Sequence, residues 1–574
     1  MPRKLSDNDI VMPTGGLKRR TFLKGSALAA FLYSSGGLLA ACTPQAGTTA
    51  SPSGQTKVKG GTVVEGAPVD IQMLNPILGS DNYGFSLAGV IFDGLLSSDT
   101  AGNLIPVLAQ GLPTVSSDNL SLTFKLRPNV KWTDGQDLNS DDVVFTFELF
   151  HDQKYKDVTT SRRAEFEQYV DTITAPDPLT VVFKLKSPYP PILSSSLQRG
   201  ILPKHVLGNL AAKDINTASF NSAPTVSSGA FKFGRWDKGQ QVVLERNDKY
   251  WGGSVPLDRY ILKIIPESSA MVSALRNGEI DLVLGVDPAL SDQVKSAPNL
   301  TLADYWASAV VFMSFQLDPA KPASKIFSDK AVRQALLYAL DRDTMATAIY
   351  RGAAATANSM LPSISWAYSP NVSPKYTFDK AKAEKLLDDA GWKRGSSGTR
   401  EKNGTQLSFE LMSVSGMKPL ESTVASMQDQ WKAIGVTATI KLVDFAALIQ
   451  QVRNDRKFDA TVWSINLSQD PDIISLLVTT PNAATGGFNS ATYKNPQIDK
   501  MLGDAAKSFD QEARKKNYID VQNVLMEELP YAPIFETKEL LGINKRVQGV
   551  VGVVGPFNRY FRNYTKDISV SDGK

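Results

Sequence analysis

Leu122-Thr123-Phe124-Lys125-Leu126, then Pro128, Asp134-Gly135 and Asn139-Ser140-Asp141-Asp142-Val143-Val144-Phe145-Thr146-Phe147, is the stretch that sets the fold class. Alternation at period two makes 122–126 a strand with one face in a core and the other in water. Pro128 and Asp134-Gly135 supply turns. Asn139 and its neighbours then offer side-chain oxygens to the free N–H groups of a helix that starts with Val143, Val144, Phe145 and Phe147. Strand, turn and helix in such quick succession read as an α/β body built from more than one sheet.

The same pattern extends outward. Val181-Val182-Phe183-Lys184-Leu185, Val242-Val243-Leu244-Glu245 and Tyr260-Ile261-Leu262-Lys263-Ile264-Ile265 read as strands. Residues 331–340 put Val332, Leu336 and Leu340 on one helical face, with Ser328 or Asp329 as cap. Residues 379–390 start on a capping Asp379 and end at Gly391, and Gly278-Glu279-Ile280-Asp281 reads as a helix-ending glycine that feeds a strand. Val424, Met427, Trp431 and Ile434 recur at helical spacing, which assigns them to a core. Trp132 reads as an aromatic covering the Asp134-Gly135 turn.

Composition narrows the function. Among 574 residues there are 62 Lys and Arg against 58 Asp and Glu, but residues 1–41 hold six of the basic and two of the acidic ones. The remaining 56 of each sign leave no basic footprint for nucleic acid. His151 and His205 are the only histidines and stand in no metal-ligand spacing. Cys42 is the only cysteine, and no G-x-S-x-G, Walker A or G-x-G-x-x-G motif is present. No catalytic residue, cofactor or metal site is therefore assigned, although a carboxylate-pair hydrolase stays open.

At the start of the chain, Lys18-Arg19-Arg20-Thr21-Phe22-Leu23-Lys24 ahead of an apolar run resembles a Tat export signal, and Leu39-Ala40-Ala41-Cys42 resembles a lipobox. The expectation is removal of 1–41, lipidation of Cys42, and a tether over 42–59 rich in Thr, Ser, Gly and Pro, with a reach of roughly 20 to 25 Å. No later stretch is long and apolar enough to span a bilayer.

Through nearly the whole mature chain the residues resemble the extracytoplasmic solute-binding proteins of ABC importers, family 5, the oligopeptide, dipeptide and nickel type. The resemblance runs through Leu74-Asn75-Pro76, Phe92-Asp93-Gly94-Leu95, Val130-Lys131-Trp132-Thr133-Asp134-Gly135, Ser228-Gly229-Ala230-Phe231, Leu244-Glu245-Arg246-Asn247 and Tyr250-Trp251. It continues through Asn277-Gly278-Glu279-Ile280-Asp281, Val332-Arg333-Gln334-Ala335, Asp341-Arg342, Ala390-Gly391-Trp392, Gly435-Val436 and Leu529-Pro530. Each motif is weak, and their shared order is the strong signal. The resemblance implies a two-lobed periplasmic-binding-protein fold of the large three-subdomain variant, type II, with a hinge and an interlobe cleft. Lobe I would span 60–308 with 536–574, including a subdomain at about 99–221, and lobe II 309–535. Crossings near 308–315 and 532–535 would form the hinge.

The implied function is a monomeric receptor on the outer face of the bacterial cell membrane. It captures a peptide or other oligomeric solute, closes, and presents the ligand to an ABC permease served by separate cytoplasmic ATPase subunits. Alternatives are a sensory or adhesive lipoprotein with the same clamp, an oligosaccharide receptor and, last, an extracellular hydrolase. Peptide receptors of the family place an Asp shortly after a Trp and four positions before a Pro, where it pairs with the peptide amine. In this chain the segment is Trp463-Ser464-Ile465-Asn466-Leu467-Ser468-Gln469-Asp470-Pro471, so alignment on Pro471 puts Leu467 at the anchor and alignment on Trp463 puts Asn466 there. Asp470 would fill the role only through a local insertion, and otherwise begins a turn. Stacking surfaces are expected from Tyr83, Trp306, Trp366, Trp463 and Phe488, and polar contacts from Asn82, Asn466, Asp470 and Asn489, with about half of this set facing the cleft.

Cys42→Ala should release the protein from membranes, and replacement of Arg19 and Arg20 by Lys should block export. Fractionation with a carbonate wash checks the first expectation and the processing state of the protein checks the second.

Overall fold

The computed structural model describes residues 59–79, 81–99, 102–467, 470–550 and 565–572. The export signal, Cys42 and all of the tether except Lys59 lie outside them. Eleven strands form one continuous mixed sheet. In chain order they are β1 (Thr62–Ala67), β2 (Phe231–Asp237), β3 (Gln241–Arg246), β4 (Arg259–Ile264), β5 (Leu282–Leu284), β6 (Leu300–Phe315), β7 (Ala354–Thr356), β8 (Ser408–Val414), β9 (Thr437–Val443), β10 (Ala460–Asn466) and β11 (Tyr531–Asn544). Their spatial order is β9-β8-β10-β6-β11-β5-β1-β4-β3-β2, with β7 paired to β11.

Two long strands carry this sheet through the molecule. β6 and β11 run antiparallel from Leu300 opposite Asn544 to Ser314 opposite Tyr531, with register shifts between Trp306 and Val310 and between Val311 and Phe312. On one flank β11 takes β5, which leads to the parallel pair β1 and β4. On the other flank β6 takes β10, which leads to the parallel strands β8 and β9. Separate cores clothe the two parts: Val63, Leu262, Leu541 and Ile543 belong to one, while Val311, Met313 and Phe315 and, on the other face, Val310 and Phe312 belong to two more. A second, four-stranded sheet is made from Thr114–Val115, Ser121–Lys125, Thr180–Leu185 and Val170–Asp177. The helix Ser140–His151 packs on it, and Phe124, Phe147, Phe166 and Phe183 meet in its core.

Local chemistry explains why these elements form where they do. Asn139 caps Ser140–His151 by accepting from the Asp141 amide, and Asp142 returns a bond from the Asn139 amide, closing a capping box. The Asp142 carboxylate also accepts from Trp132 Nε1 at 3.2 Å and from the Lys204 amide at 2.9 Å, so one side chain ties turn, helix and a distant segment together. Burial raises its pKa. Gly278, at φ 77°, ends the helix Ser268–Asn277, and the next residues enter β5. Asp281 accepts from the Val64 amide and takes both Nε and Nη2 of Arg546, at 2.7 and 2.9 Å, which locks β5 to β1 and to the chain after β11.

Arg342 is 3% exposed and gives Nη1 to the carbonyls of Ala357 and Pro533, at 2.6 and 2.9 Å, and Nη2 to that of Tyr376. Desolvation lowers its pKa to about 10, so it stays charged at neutral pH and pins β11 at Pro533 to two loops. Arg342→Met should therefore cost about 2 to 4 kcal/mol of stability in urea unfolding, because three buried carbonyls lose a charged donor at once.

Candidate functional site

The residues around the register shift of β6 and β11 are the polar centre of the crossing. Trp306 on β6 faces Lys538 on β11, whose Nζ lies 5.1 Å from the ring centroid and 2.8 Å from Asp304 Oδ2. Residues opposite each other in an antiparallel pair point to one face, and neighbours along a strand to the other. Tyr305 and Glu539 therefore share the face opposite to Trp306 and Lys538. Glu539 has an Oε2 that is buried without a hydrogen-bond partner, and burial alone pushes its carboxyl up to about 8. Glu536, opposite Val310, is 5% exposed, and burial also raises its pKa even though it accepts from the Ser363 amide at 2.9 Å.

The second half brings a different arrangement to the end of β10. Leu467, which alignment on Pro471 puts at the amine-anchor position, is fully buried in the core beside Trp463 and Ile465, and its amide bonds to the Ser308 carbonyl of β6 at 2.9 Å. Asn466 ends β10 half-buried, opposite Ala309. Asp470 caps the short turn Pro471–Ile474 through the Asp472 amide, and its Oδ1 lies 2.6 Å from Arg514 Nη2. Both partners are nearly sealed from solvent. Arg514 also donates to the Tyr518 hydroxyl at 3.2 Å and lies 5.3 Å from the Trp366 ring centroid, while Trp366 meets Tyr518 edge-on. The carboxylate of Asp470 holds the Arg514 pKa above its ordinary value against the effect of burial. Asp470, Trp366 and Arg514 thus form one charge-compensated cluster.

Other residues singled out in the sequence lie in the interior. Trp463 is 1% exposed and packs against Phe312 at 5.5 Å, because β10 alternates and its odd positions face a core. Phe488 is fully buried under the Arg453 guanidinium. Asn489 is fully buried too: its Nδ2 donates to the carbonyls of Thr479 and Tyr493, and its Oδ1 accepts from the Tyr493 amide. Tyr83 sits at the rim of the first-half core, one residue into the helix Asn82–Ile91, where Asn82 is half-buried. Arg514, Glu536 and Glu539 had no sequence signal, since each lies far along the chain from the groups it meets or from any motif. Among the described residues no group of three or more His, Cys, Asp or Glu could hold a metal ion, and no helix is long and apolar enough to cross a membrane.

The profile of the bacterial extracellular solute-binding proteins, family 5 (middle), matches residues 103–485. The chain belongs to this family. The oligopeptide-binding protein AppA of Bacillus subtilis is 28% identical over 517 residues, 89% of this chain and 93% of that protein. Its structure in complex with a nonapeptide superposes with a TM-score of 0.72 at 27% identity, covering 90% of this chain and 100% of that one. Protein XP55 of Streptomyces lividans is 30% identical over 491 residues, 85% of this chain and 86% of its own. NikZ from Campylobacter jejuni, solved with Ni(L-His), reaches a TM-score of 0.74 at 28% identity over 88% of this chain and 99% of that one. As a family 5 solute-binding protein, the chain is extracytoplasmic.

Glu539 gives the solute-binding protein a pH signature. Its ordinary pKa of 4.5 rises to about 8 on folding. Between these values the native state holds the extra proton, so this residue makes stability fall as pH rises through that window. The slope is at most ~1.4 kcal/mol per pH unit, reduced by solvent that reaches the rest of the side chain. Glu539→Gln should match the wild type near pH 5 and be more stable at pH 8 to 9, as read by denaturant midpoints across pH.

Proposed function

We propose that this protein is a peptide receptor of an ABC importer, anchored through lipid at Cys42, in which two lobes close on the ligand about the β6 and β11 crossing. Support comes above all from family membership over two thirds of the chain together with a sheet that only these two strands carry from one part to the other. Register shifts concentrated in the crossing favour bending there, since a bulge loosens the ladder locally. Closure selects a ligand by its differential contacts with the open and closed forms, and about 5.5 kcal/mol moves a population from 1:99 to 99:1. The permease and ATPase are separate chains in this reading, and no step of chemistry is assigned to the receptor.

The ligand is a longer or blocked peptide rather than a free-amine dipeptide or tripeptide. Leu467 offers no carboxylate at the anchor position, and Asp470 already neutralises Arg514. An ammonium brought to Leu467 would lose its hydration without gaining a charged acceptor. A neutral oligosaccharide is the competing ligand, favoured by the same apolar position.

Calorimetry of the mature chain against free-amine tripeptides, blocked nonapeptides and neutral oligosaccharides tests the assignment. Binding is expected for the blocked nonapeptides, accompanied by a smaller radius of gyration in X-ray scattering. Submicromolar binding of free-amine tripeptides, lost in Asp470→Asn, would overturn the ligand reading; an unchanged radius at saturation would count against closure.

A further inference from the structure

The two halves keep separate interiors with one exception. Among the described residues of 309–535, Phe509 alone packs on the first-half core, the one that holds Val63, Phe166 and Tyr189. It is half-buried and sits in the turn between the helices Pro496–Ala505 and Gln511–Glu528. Just before it, Gly503 and Ala506 line a cavity whose other wall includes Gln168 and Tyr169, at the end of the helix Arg163–Tyr169 in the small-sheet unit. Tyr169 packs on the same first-half core. The halves therefore meet at a place to which neither β6 nor β11 contributes a residue.

The sequence around Phe509 directs the ring outward. An apolar residue just before a helix cap ordinarily folds back onto the fourth residue of its own helix. Here the cap is Asp510, which accepts from the Glu512 and Ala513 amides at 3.0 and 3.2 Å, and the fourth helical residue is Arg514. Arg514 is committed to Asp470 and Tyr518, so the usual apolar partner is missing and the ring packs across the gap instead. The turn itself is fixed from both ends: Ser508 Oγ accepts from the Asp510 amide at 3.2 Å, and the Lys507 amide donates to the Asp504 carbonyl at 3.2 Å. An aromatic ring on a fixed turn loses little freedom when it docks.

We propose that Phe509 is a ligand-independent latch and a positioning residue of the receptor: by packing on the first half it holds the lobes together before a ligand arrives, and so sets the affinity. This rests on the two-lobe closure reading above and not on the identity of the ligand. The ring favours the closed form by the same amount whether the cleft is full or empty, so it raises the closed population of both and slows release of whatever is enclosed. Parting the halves returns the ring to water, which for about half of an aromatic side chain corresponds to a bias of roughly tenfold.

The mature chain, freed of ligand by unfolding and refolding, is compared with its Phe509→Ser and Phe509→Leu variants by X-ray scattering. A larger radius of gyration is expected for Phe509→Ser only, with urea midpoints close together in all three proteins, because a half-buried side chain of a turn is removed. In a Cys42→Ala background that also carries Gln168→Cys and Ala506→Cys, joining the two thiols with a short bis-maleimide should return Phe509→Ser to the wild-type radius. Equal radii in the three proteins would overturn the latch, as would an expansion that the cross-link does not reverse, since that expansion is unfolding. Release of a blocked nonapeptide pool forms the second arm. It should be roughly tenfold faster from Phe509→Ser and largely recovered in Phe509→Leu, with association little changed. Equal release rates would overturn the effect on affinity. Failure of the pool to bind the wild type removes the peptide reading and leaves the scattering comparison to decide the latch; binding with equal radii removes the latch and leaves the peptide receptor.

Discussion

Between Leu300 and Phe315 the chain pairs with β11, and each part of the molecule docks its own parallel strands on the outer edges of that pair. Buried backbone N–H and C=O groups must find partners, so β5 and β10 would each lose the ladder along one whole edge without the strand it leans on. The pair is also where the cores change over: Leu541 and Ile543 serve the first part, while Val310, Val311, Phe312 and Met313 serve the second. Arg342 and Asp281 reinforce its ends, the first through carbonyls at Pro533, Ala357 and Tyr376, the second through Arg546 just past β11. Charge at these places is spent on holding strands, which separates it from charge available to a ligand.

That separation orders the carboxylates. Asp470 is compensated by Arg514, and Asp281 by Arg546, so both are structural. Glu539 has no such partner and keeps its proton to about pH 8. In a low-dielectric setting a missing countercharge matters more than an additional hydrogen bond, which is why Glu539 is the informative one.

Local signals made much of the scaffold legible. The strand read over 122–126, the cap at Asn139, the cap at Asp379 and the glycine ends at 278 and 391 all depend on neighbours within a few residues, and the structure has each of them. Trp132, read as covering its turn, does so while bonding to Asp142. The helical face of Val424, Met427, Trp431 and Ile434 is core, with Trp431 Nε1 bound to the Leu336 carbonyl. The site was less legible for a physical reason. An aromatic residue in a β-strand looks alike whether it faces ligand or core, and Trp463 and Phe488 went to the core. Asp470 was visible in the sequence, but its partner Arg514 stands 44 residues away on another helix, and nothing local announces the pair.

The sharing of one sheet bears on how the molecule comes apart. Two bodies joined by a flexible linker can melt separately, but here each body's β-ladder terminates on a strand that the other body's core also holds. Excising residues 309–535 would cut both strands short, leaving the pairs from Leu300 opposite Asn544 to Trp306 opposite Lys538 with bare ends open to wrong pairing. Loss of the first would leave only the pairs from Val311 opposite Phe535 to Ser314 opposite Tyr531. Each body thus supplies part of a ladder that continues into the other, so unfolding of one takes backbone partners from the end of the strands held by the other.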